Sequence, residues 1–245
     1  MNEYQKAVQL IKNSSHTTAF TGAGISVESG VPPFRGEDGL WNKYDPSILD
    51  INKFYAEPEE IWQHIKEIFY DFFADAEPNK AHQVLAEMEK KNLLNAVVTQ
   101  NIDNLHQEAG SSRVYEFHGN SKELVCTKCG EKYPVEESIF EDMPPKCSRC
   151  GGILKPDFVF FGEAIPDKAR EMSYQEAEKA DLFLVIGTTG EVQPAAMVPI
   201  YAKNNGAKII EVNTKKSNFT DRITDIFLKA RAAEAMQVIS DELGL

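Results

Sequence analysis

Short apolar runs alternate along the chain with segments whose apolar residues recur every three or four positions. The runs at 17–21 (TTAFT), 96–98 (AVV), 181–187 (DLFLVIG), 208–212 (KIIEV) and 225–228 (DIFL) read as buried strands. Helical spacing marks 3–13, with Ala7, Leu10 and Ile11 on one face, and 79–91 through Ala81, Val84, Leu85 and Met88. Further helices are expected at 58–73, 168–179, 195–205 and 232–243, with Gly206 in the usual stop position after the third of these. The 58–73 segment begins at Pro58 and carries Trp62, Phe69, Tyr70, Phe72 and Phe73, an aromatic stripe that reads as core before it reads as a ligand box. Strands alternating with helices argue an α/β fold: a Rossmann-like parallel sheet with helices on both faces.

In such a sheet, ligands sit outside the carboxyl ends of the strands. Polar residues gather at those ends. Thr99-Gln100-Asn101-Ile102-Asp103 follows the 96–98 run, and His118 follows the mostly apolar stretch from Val114 to Phe117. His118 is the histidine with a claim to general-base chemistry; His16, His64, His82 and His106 read as packing and hydrogen-bonding residues. Gly22-Ala23-Gly24-Ile25-Ser26 follows the first strand, an arrangement that brings backbone N–H groups against a pyrophosphate. The same glycines would also serve a plain tight turn, and Val27 stands where the common GxGxxG fingerprint has its third glycine. Gly187-Thr188-Thr189-Gly190 and Asn213-Thr214 end two later strands and suit phosphate or ribose. The loop from Pro32 to Asp50, rich in Pro, Gly and Asp, reads as a lid. Its Arg35 is either a phosphate ligand or a solvated cation.

Composition narrows the picture. With 245 residues, 42% of them hydrophobic, the chain suits one large domain with a small insertion. A net charge of −12 argues against a nucleic-acid partner and suits a basic one. No apolar run approaches the ~18 residues of a membrane span, and the polar N-terminus is no signal peptide. All four cysteines lie in two CxxC pairs, Cys126/Cys129 and Cys147/Cys150, which leaves none for scattered disulfides and points to the cytoplasm. The spacing fits a zinc ribbon, and four thiolates leave no open coordination position, so the metal is read as structural. Iron would satisfy the same ligands, and a redox CxxC is the other reading of each pair.

The ordered set GAGIS (22–26), FRG (34–36), TQNID (99–103), HGN (118–120), two CxxC pairs, FFGE (160–163), GTT (187–189) and VN (212–213) resembles the sirtuins, NAD-dependent protein deacylases, over nearly the whole chain. The resemblance implies a Rossmann-like NAD-binding domain, 1–119 and 156–245, with a zinc-ribbon unit at 120–155 inserted in it. The lid and the helices around 32–75 are candidates to pack with that unit. It implies NAD and one zinc ion as cofactors, acyl-lysine proteins or peptides as partners, and a monomer. Nicotinamide leaves NAD, and the acyl group passes to ADP-ribose. His118 would be the general base, with Asn101 beside it in the catalytic centre. Gly22, Ala23, Gly24, Val27, Phe34, Arg35, Gln100, Asn101, Ile102, Asp103, Gly187, Thr188, Thr189, Asn213 and Thr214 would contact NAD. Val159, Phe161, Gly162, Glu163 and Glu191 would border the acyl-lysine peptide, which adds as a strand.

Three departures stand out. Pro33 holds a place where many sirtuins carry an acidic residue, which stiffens the lid. Gly190-Glu191 follows the GTT motif where a hydrophobic residue usually begins the peptide-facing loop. The Tyr and Arg of desuccinylating sirtuins align with Ile65 and Ile68, so a buried succinyl carboxylate would lack a cation. Acetyl or longer neutral acyl groups are therefore expected over succinyl. Mono-ADP-ribosyl transfer from the same NAD site, and a non-catalytic NAD-binding module, are the competing readings.

Overall fold

The computed structural model describes residues 1–37, 39–71 and 75–245. The chain opens with helix α1 (Glu3–Asn13). Asn2 and Gln5 cap it reciprocally, backbone N–H to side-chain oxygen, and Ala7, Val8 and Ile11 turn inward. Strand β1 (Thr17–Thr21) follows and is buried at every position. After the lid come α2 (Ile51–Ala56), which Asp50 caps through the N–H groups of Asn52 and Lys53, and α3 (Pro58–Ile65). Helix α4 (Lys80–Lys90), capped by Asn79, leads to β2 (Ala96–Thr99), α5 (Leu105–Glu108) and β3 (Val114–Glu116). Strands β4 (Gly119–Cys126), β5 (Lys132–Pro134) and β6 (Leu154–Phe158) come next. Helix α6 (Asp167–Lys179), β7 (Leu182–Ile186), α7 (Met197–Asn204), β8 (Lys208–Asn213), β9 (Ile226–Lys229) and α8 (Ala232–Leu243) complete the chain.

Two sheets result. One is parallel, with six strands in the order β3-β2-β1-β7-β8-β9; the other is antiparallel, in the order β5-β4-β6. In the parallel sheet the chain runs outward from β1 through β2 to β3. It then returns to the other side of β1 as β7. The reversal falls between β1 and β7, where a crevice opens at their carboxyl ends. One aliphatic core, including Ala7, Leu85, Val97, Leu184, Ile210 and Ile239, covers one face; a second, including Phe20, Phe183, Val185, Val198 and Ile209, covers the other.

The antiparallel sheet has a different core. Phe54, Ile61, Trp62, Ile65, Ile68 and Phe69 pack against Leu124, Leu154, Phe158 and Phe160, so the helices after the lid lie against the small sheet. Trp62 also donates its indole N–H to the Leu154 carbonyl at 2.8 Å. The helix expected over 58–73 changes pitch at Lys66, and Lys66–Asp71 form a π-helix. The wider turn places the adjacent residues Ile68 and Phe69 both inside the core. Phe72 and Phe73 lie outside the described residues.

Candidate active site

The loops after β1 and β7 meet backbone to backbone. Gly22 N–H donates to the Ile186 carbonyl at 3.0 Å and Gly24 N–H to the Gly187 carbonyl at 2.8 Å. A Cβ on Gly24 would fall 2.7 Å from the Gly187 Cα, so no larger residue fits there. Gly187 itself sits at φ +64. The two glycine loops thus form one floor. A cleft of about 570 Å³ lies above it, walled on the far side by residues 158–163 and on a third side by the lid.

Gln100 bridges the floor. Its Nε2 donates to Thr188 Oγ1 at 3.0 Å, while the Thr188 carbonyl accepts from Asn213 Nδ2 at 2.9 Å. Asn101 is buried, and its Nδ2 donates to Ser26 Oγ at 3.1 Å. Ser26 in turn donates to Asp103 Oδ2 at 2.7 Å, and the other Asp103 oxygen accepts the Leu105 N–H at 3.0 Å. Burial raises the Asp103 carboxyl above its ordinary value against the pull of these bonds.

His118 occupies the turn between β3 and β4. Its Nδ1 lies 3.0 Å from the Gln100 carbonyl oxygen. A carbonyl can only accept, so Nδ1 carries the proton and Nε2 holds the free lone pair. Burial pulls the imidazole below its ordinary pKa, opposed by that bond. The backbone carbonyl of His118 accepts the Val159 N–H at 2.8 Å, which ties it to the opposite wall. The arrangement is a neutral imidazole base, oriented by one sheet and anchored to the other, facing a largely apolar cleft.

Of the residues expected to contact NAD, all but Asp103 line this cleft, and Asp103 stands behind Ile102. Val159, Phe161, Gly162 and Glu163 line it as well. Glu191 does not; its carboxylate lies at the mouth, 3.6 Å from Arg35 Nε, and both side chains are largely exposed. Among the other histidines, His82 and His106 stack edge to face at 4.9 Å, and His106 Nε2 meets Thr21 Oγ1 at 2.9 Å beneath the floor. His16 pairs with Glu176 at 2.7 Å, and His64 packs edge-on against Tyr44. Sequence reasoning missed Trp41 and Leu49 on the apolar side and Lys215, Lys216 and Arg231 at the far end. It gave Ser26 no role of its own, although GAGIS contained it. A serine between carboxamide and carboxylate is recognisable only once the two loops are brought together.

The four cysteine sulfurs lie within 4.8 Å of one another. Ligands on a tetrahedron with Zn–S bonds of ~2.3 Å stand about 3.8 Å apart. Cys126–Cys150 at 3.5 Å and Cys129–Cys147 at 3.7 Å fit that spacing. Gly130 and Gly151 take φ +71 and +70 after each knuckle, and a Cβ on Gly152 would fall 2.9 Å from Cys126 Sγ. The donor set and its tight enclosure suit a structural zinc ion. Tyr133 adds a hydroxyl 3.1 Å from Cys147 Sγ.

A glycine-floored crevice in a parallel sheet, with an oriented histidine beside a four-thiolate unit, defines a dinucleotide-dependent enzyme of two-part build. The Sir2 family pattern matches residues 22–194. The chain is 44% identical over 245 residues to an NAD-dependent protein deacylase of Pyrococcus abyssi, covering 97% of each chain. It is 41% identical to NAD-dependent protein deacetylase 1 of Pyrobaculum aerophilum, covering 99% of this chain and 95% of that one. A solved Sir2 complex with p53 peptide and NAD+ superposes with a TM-score of 0.92 at 37% identity, over 100% of this chain and 99% of the other. A Sir2 complex with a deacetylated p53 peptide and 3′-O-acetyl ADP-ribose gives 0.93 at 37% identity over 98% of both. The chain belongs to the Sir2 family of NAD-dependent protein deacylases. Among the described residues, no helix is long and apolar enough to cross a membrane.

Proposed function

We propose that the chain removes acetyl and longer neutral acyl groups from lysine side chains of proteins or peptides, in preference to succinyl, giving nicotinamide and O-acyl-ADP-ribose. The observation that carries this reading is the His118 Nδ1 contact to the Gln100 carbonyl, which leaves Nε2 basic above an NAD-sized cleft. NAD, when bound, supplies an electrophilic ribose carbon on loss of nicotinamide, and an ADP-ribose to carry the acyl group away. His118 takes the proton of a ribose hydroxyl at Nε2, while Nδ1 stays bonded to Gln100. Gln100 and Asn101 position the ribose and an ordered water, and Ile102 with Asp103 behind it receives the carboxamide. Gly22, Ala23, Gly24, Val27, Phe34 and Arg35 take the phosphate and nicotinamide side, with Phe34 excluding water. Gly187, Thr188, Thr189, Asn213 and Thr214 take the remaining phosphate, ribose and adenine.

The acyl-lysine lies along Val159, Phe161, Gly162 and Glu163 as an added strand, with Glu191 at the mouth. The preference for neutral acyl groups is supported by the apolar wall of Trp41, Leu49, Phe158 and Phe160; Ile65 and Ile68 lie in the core and do not line the cleft. Residues 1–119 and 156–245 act as the NAD-binding unit and 120–155 as the zinc unit. One chain supplies the whole cleft, in keeping with a cytoplasmic monomer.

The test is nicotinamide release from NAD with acetyl-lysine, succinyl-lysine or no peptide, for wild type and His118→Ala. Expected are dependence on acetyl peptide, slower turnover of succinyl peptide, and a drop of roughly 10²-fold or more in the variant. Release that needs no peptide would favour ADP-ribosyl transfer or plain NAD hydrolysis. Succinyl peptide turned over as fast as acetyl would overturn the acyl preference.

A further inference from the structure

Lysine is rarely buried unless paired, yet Lys155 on β6 is only 6% exposed. Its ammonium has three N–H donors, and three acceptors meet them: the Pro156 carbonyl at 2.8 Å, the Phe158 carbonyl at 2.7 Å and Glu163 Oε2 at 3.0 Å. The ammonium also lies 4.3 Å from the centroid of the Phe160 ring. Glu163 Oε2 accepts a second bond, from the Phe160 N–H at 2.8 Å, and the Glu163 N–H donates back to the Phe160 carbonyl at 3.0 Å. Gly162 closes this turn at φ +92. Every residue from Phe158 to Glu163 lines the cleft. The segment is bonded on one side to the His118 carbonyl through the Val159 N–H. On the other side the Phe161 N–H reaches the Leu49 carbonyl at 2.7 Å.

We infer that Lys155 and Glu163 form a buried ionic clamp that fixes the 158–163 wall of the acyl-lysine site against His118. Lys155 touches no substrate and is a positioning residue. The clamp rests on the proposed reading of that wall as the peptide side of the cleft. Phe158 and Phe160 are held by the aromatic core, and the clamp fixes the backbone between and after them, from Val159 to Glu163, in one conformation. Without it, the Phe158 carbonyl, the Phe160 N–H and the Glu163 carboxylate would each lose a partner, and the wall would be free to rearrange. The NAD floor, built from the β1 and β7 loops, shares none of these bonds.

The experiment measures KM for an acetyl-lysine peptide, KM for NAD and direct NAD binding in wild type, Lys155→Met, Lys155→Arg, Glu163→Gln and the Lys155→Met/Glu163→Gln double variant. In Lys155→Met the peptide KM should rise about tenfold while NAD binding stays within about twofold. Lys155→Arg, which keeps the charge, should recover most of that loss. The double variant should be less impaired than Lys155→Met, because it no longer leaves a half-buried carboxylate without its cation. An unchanged peptide KM, or a parallel loss of NAD binding and peptide KM, would overturn the clamp. Should Lys155→Met not fold, Lys155→Gln, likewise at a position that touches no substrate, decides by the same ratio of peptide KM to NAD binding. A wild-type enzyme that releases nicotinamide without peptide would sink the proposed function instead, and so the two failures are separate.

Discussion

The two sheets are held together by different chemistry. The parallel sheet buries an aliphatic core on one face and a mixed one with Phe20 and Phe183 on the other, and its strands β1 and β7 are buried along their whole length. It carries its stability in apolar area and unbroken ladders. The antiparallel sheet has only three strands, an aromatic core and four cysteines gathered at one end. A sheet that small cannot bury enough to stand alone, and small units of this kind depend on a metal or a neighbour. Here it has both: the zinc ligands at one end and helices α2 and α3 along its side. The proposed base sits where the two sheets meet. His118 is the last residue before β4 begins, with its ring bonded to the Gln100 carbonyl just after β2 and its own carbonyl to the Val159 N–H just after β6.

Metal removal should separate the two sheets most sharply. Structural zinc sites contribute about 10–16 kcal/mol of apparent binding energy. Chelation should therefore strip amide protection from β4, β5 and β6 and leave β1, β7 and β8 protected in hydrogen exchange. Peptide-dependent nicotinamide release should vanish with it. Simultaneous loss of protection in both sheets would show that the parallel sheet does not stand by itself.

Acid should act in the opposite direction, on the large unit first. Burial lowers the His82 pKa from 6.5 to about 4, and His106 beside it is lowered as well. Both are therefore neutral in the fold but protonate readily when unfolded. The stability they represent is present above pH 6.5 and is lost as pH falls towards 4, on the order of 3 kcal/mol for His82 alone. The Asp181 carboxyl is lowered from 3.8 to about 2 by hydrogen bonds from Ser14, Ser15 and His16, and its contribution is lost only in that lower window. Denaturant midpoints taken between pH 7 and pH 4.5 should fall before any Asp181 effect begins. A flat profile across that range would refute the assignment to His82.

The smallest effect sharpens the account of the metal. Tyr133→Phe removes the hydroxyl beside Cys147 Sγ and should speed zinc transfer to a chromogenic chelator about tenfold, with the fold intact. An unchanged transfer rate would leave that hydroxyl with a role in packing alone.

Much of this was legible in the sequence, for identifiable reasons. The short runs announced β1, β2, β7, β8 and β9, because strands of a sheet covered on both faces are rich in apolar and β-branched residues. The helices 3–13 and 232–243 emerged with the same limits in the structure, since Asn2 and the apolar spacing left little freedom. The cysteine pairs carried their own geometry. Other features were not legible because they depend on partners distant in the chain. Nothing local marks Lys155 as buried, or Glu211 as fully enclosed with its carboxylate accepting from Ser217, Thr220 and Thr224. The π-helix answers to the packing of Ile68 and Phe69 against the small sheet, which no helical periodicity of 58–73 foretells. The approach of Glu191 to Arg35 is likewise set by how lid and loop converge, which no local pattern shows.

The seam position of His118 has a consequence for reading natural variation in this chain. The ring takes its bearing from a carbonyl just beyond the parallel sheet's β2, while its own backbone is moored just beyond the small sheet's β6. A substitution deep in either core that tilts one unit against its neighbour by a fraction of an ångström would register at that imidazole. Distance from the histidine is then a poor guide to harm: silent-looking changes beneath Trp62 or Leu154 can behave genetically as active-site lesions.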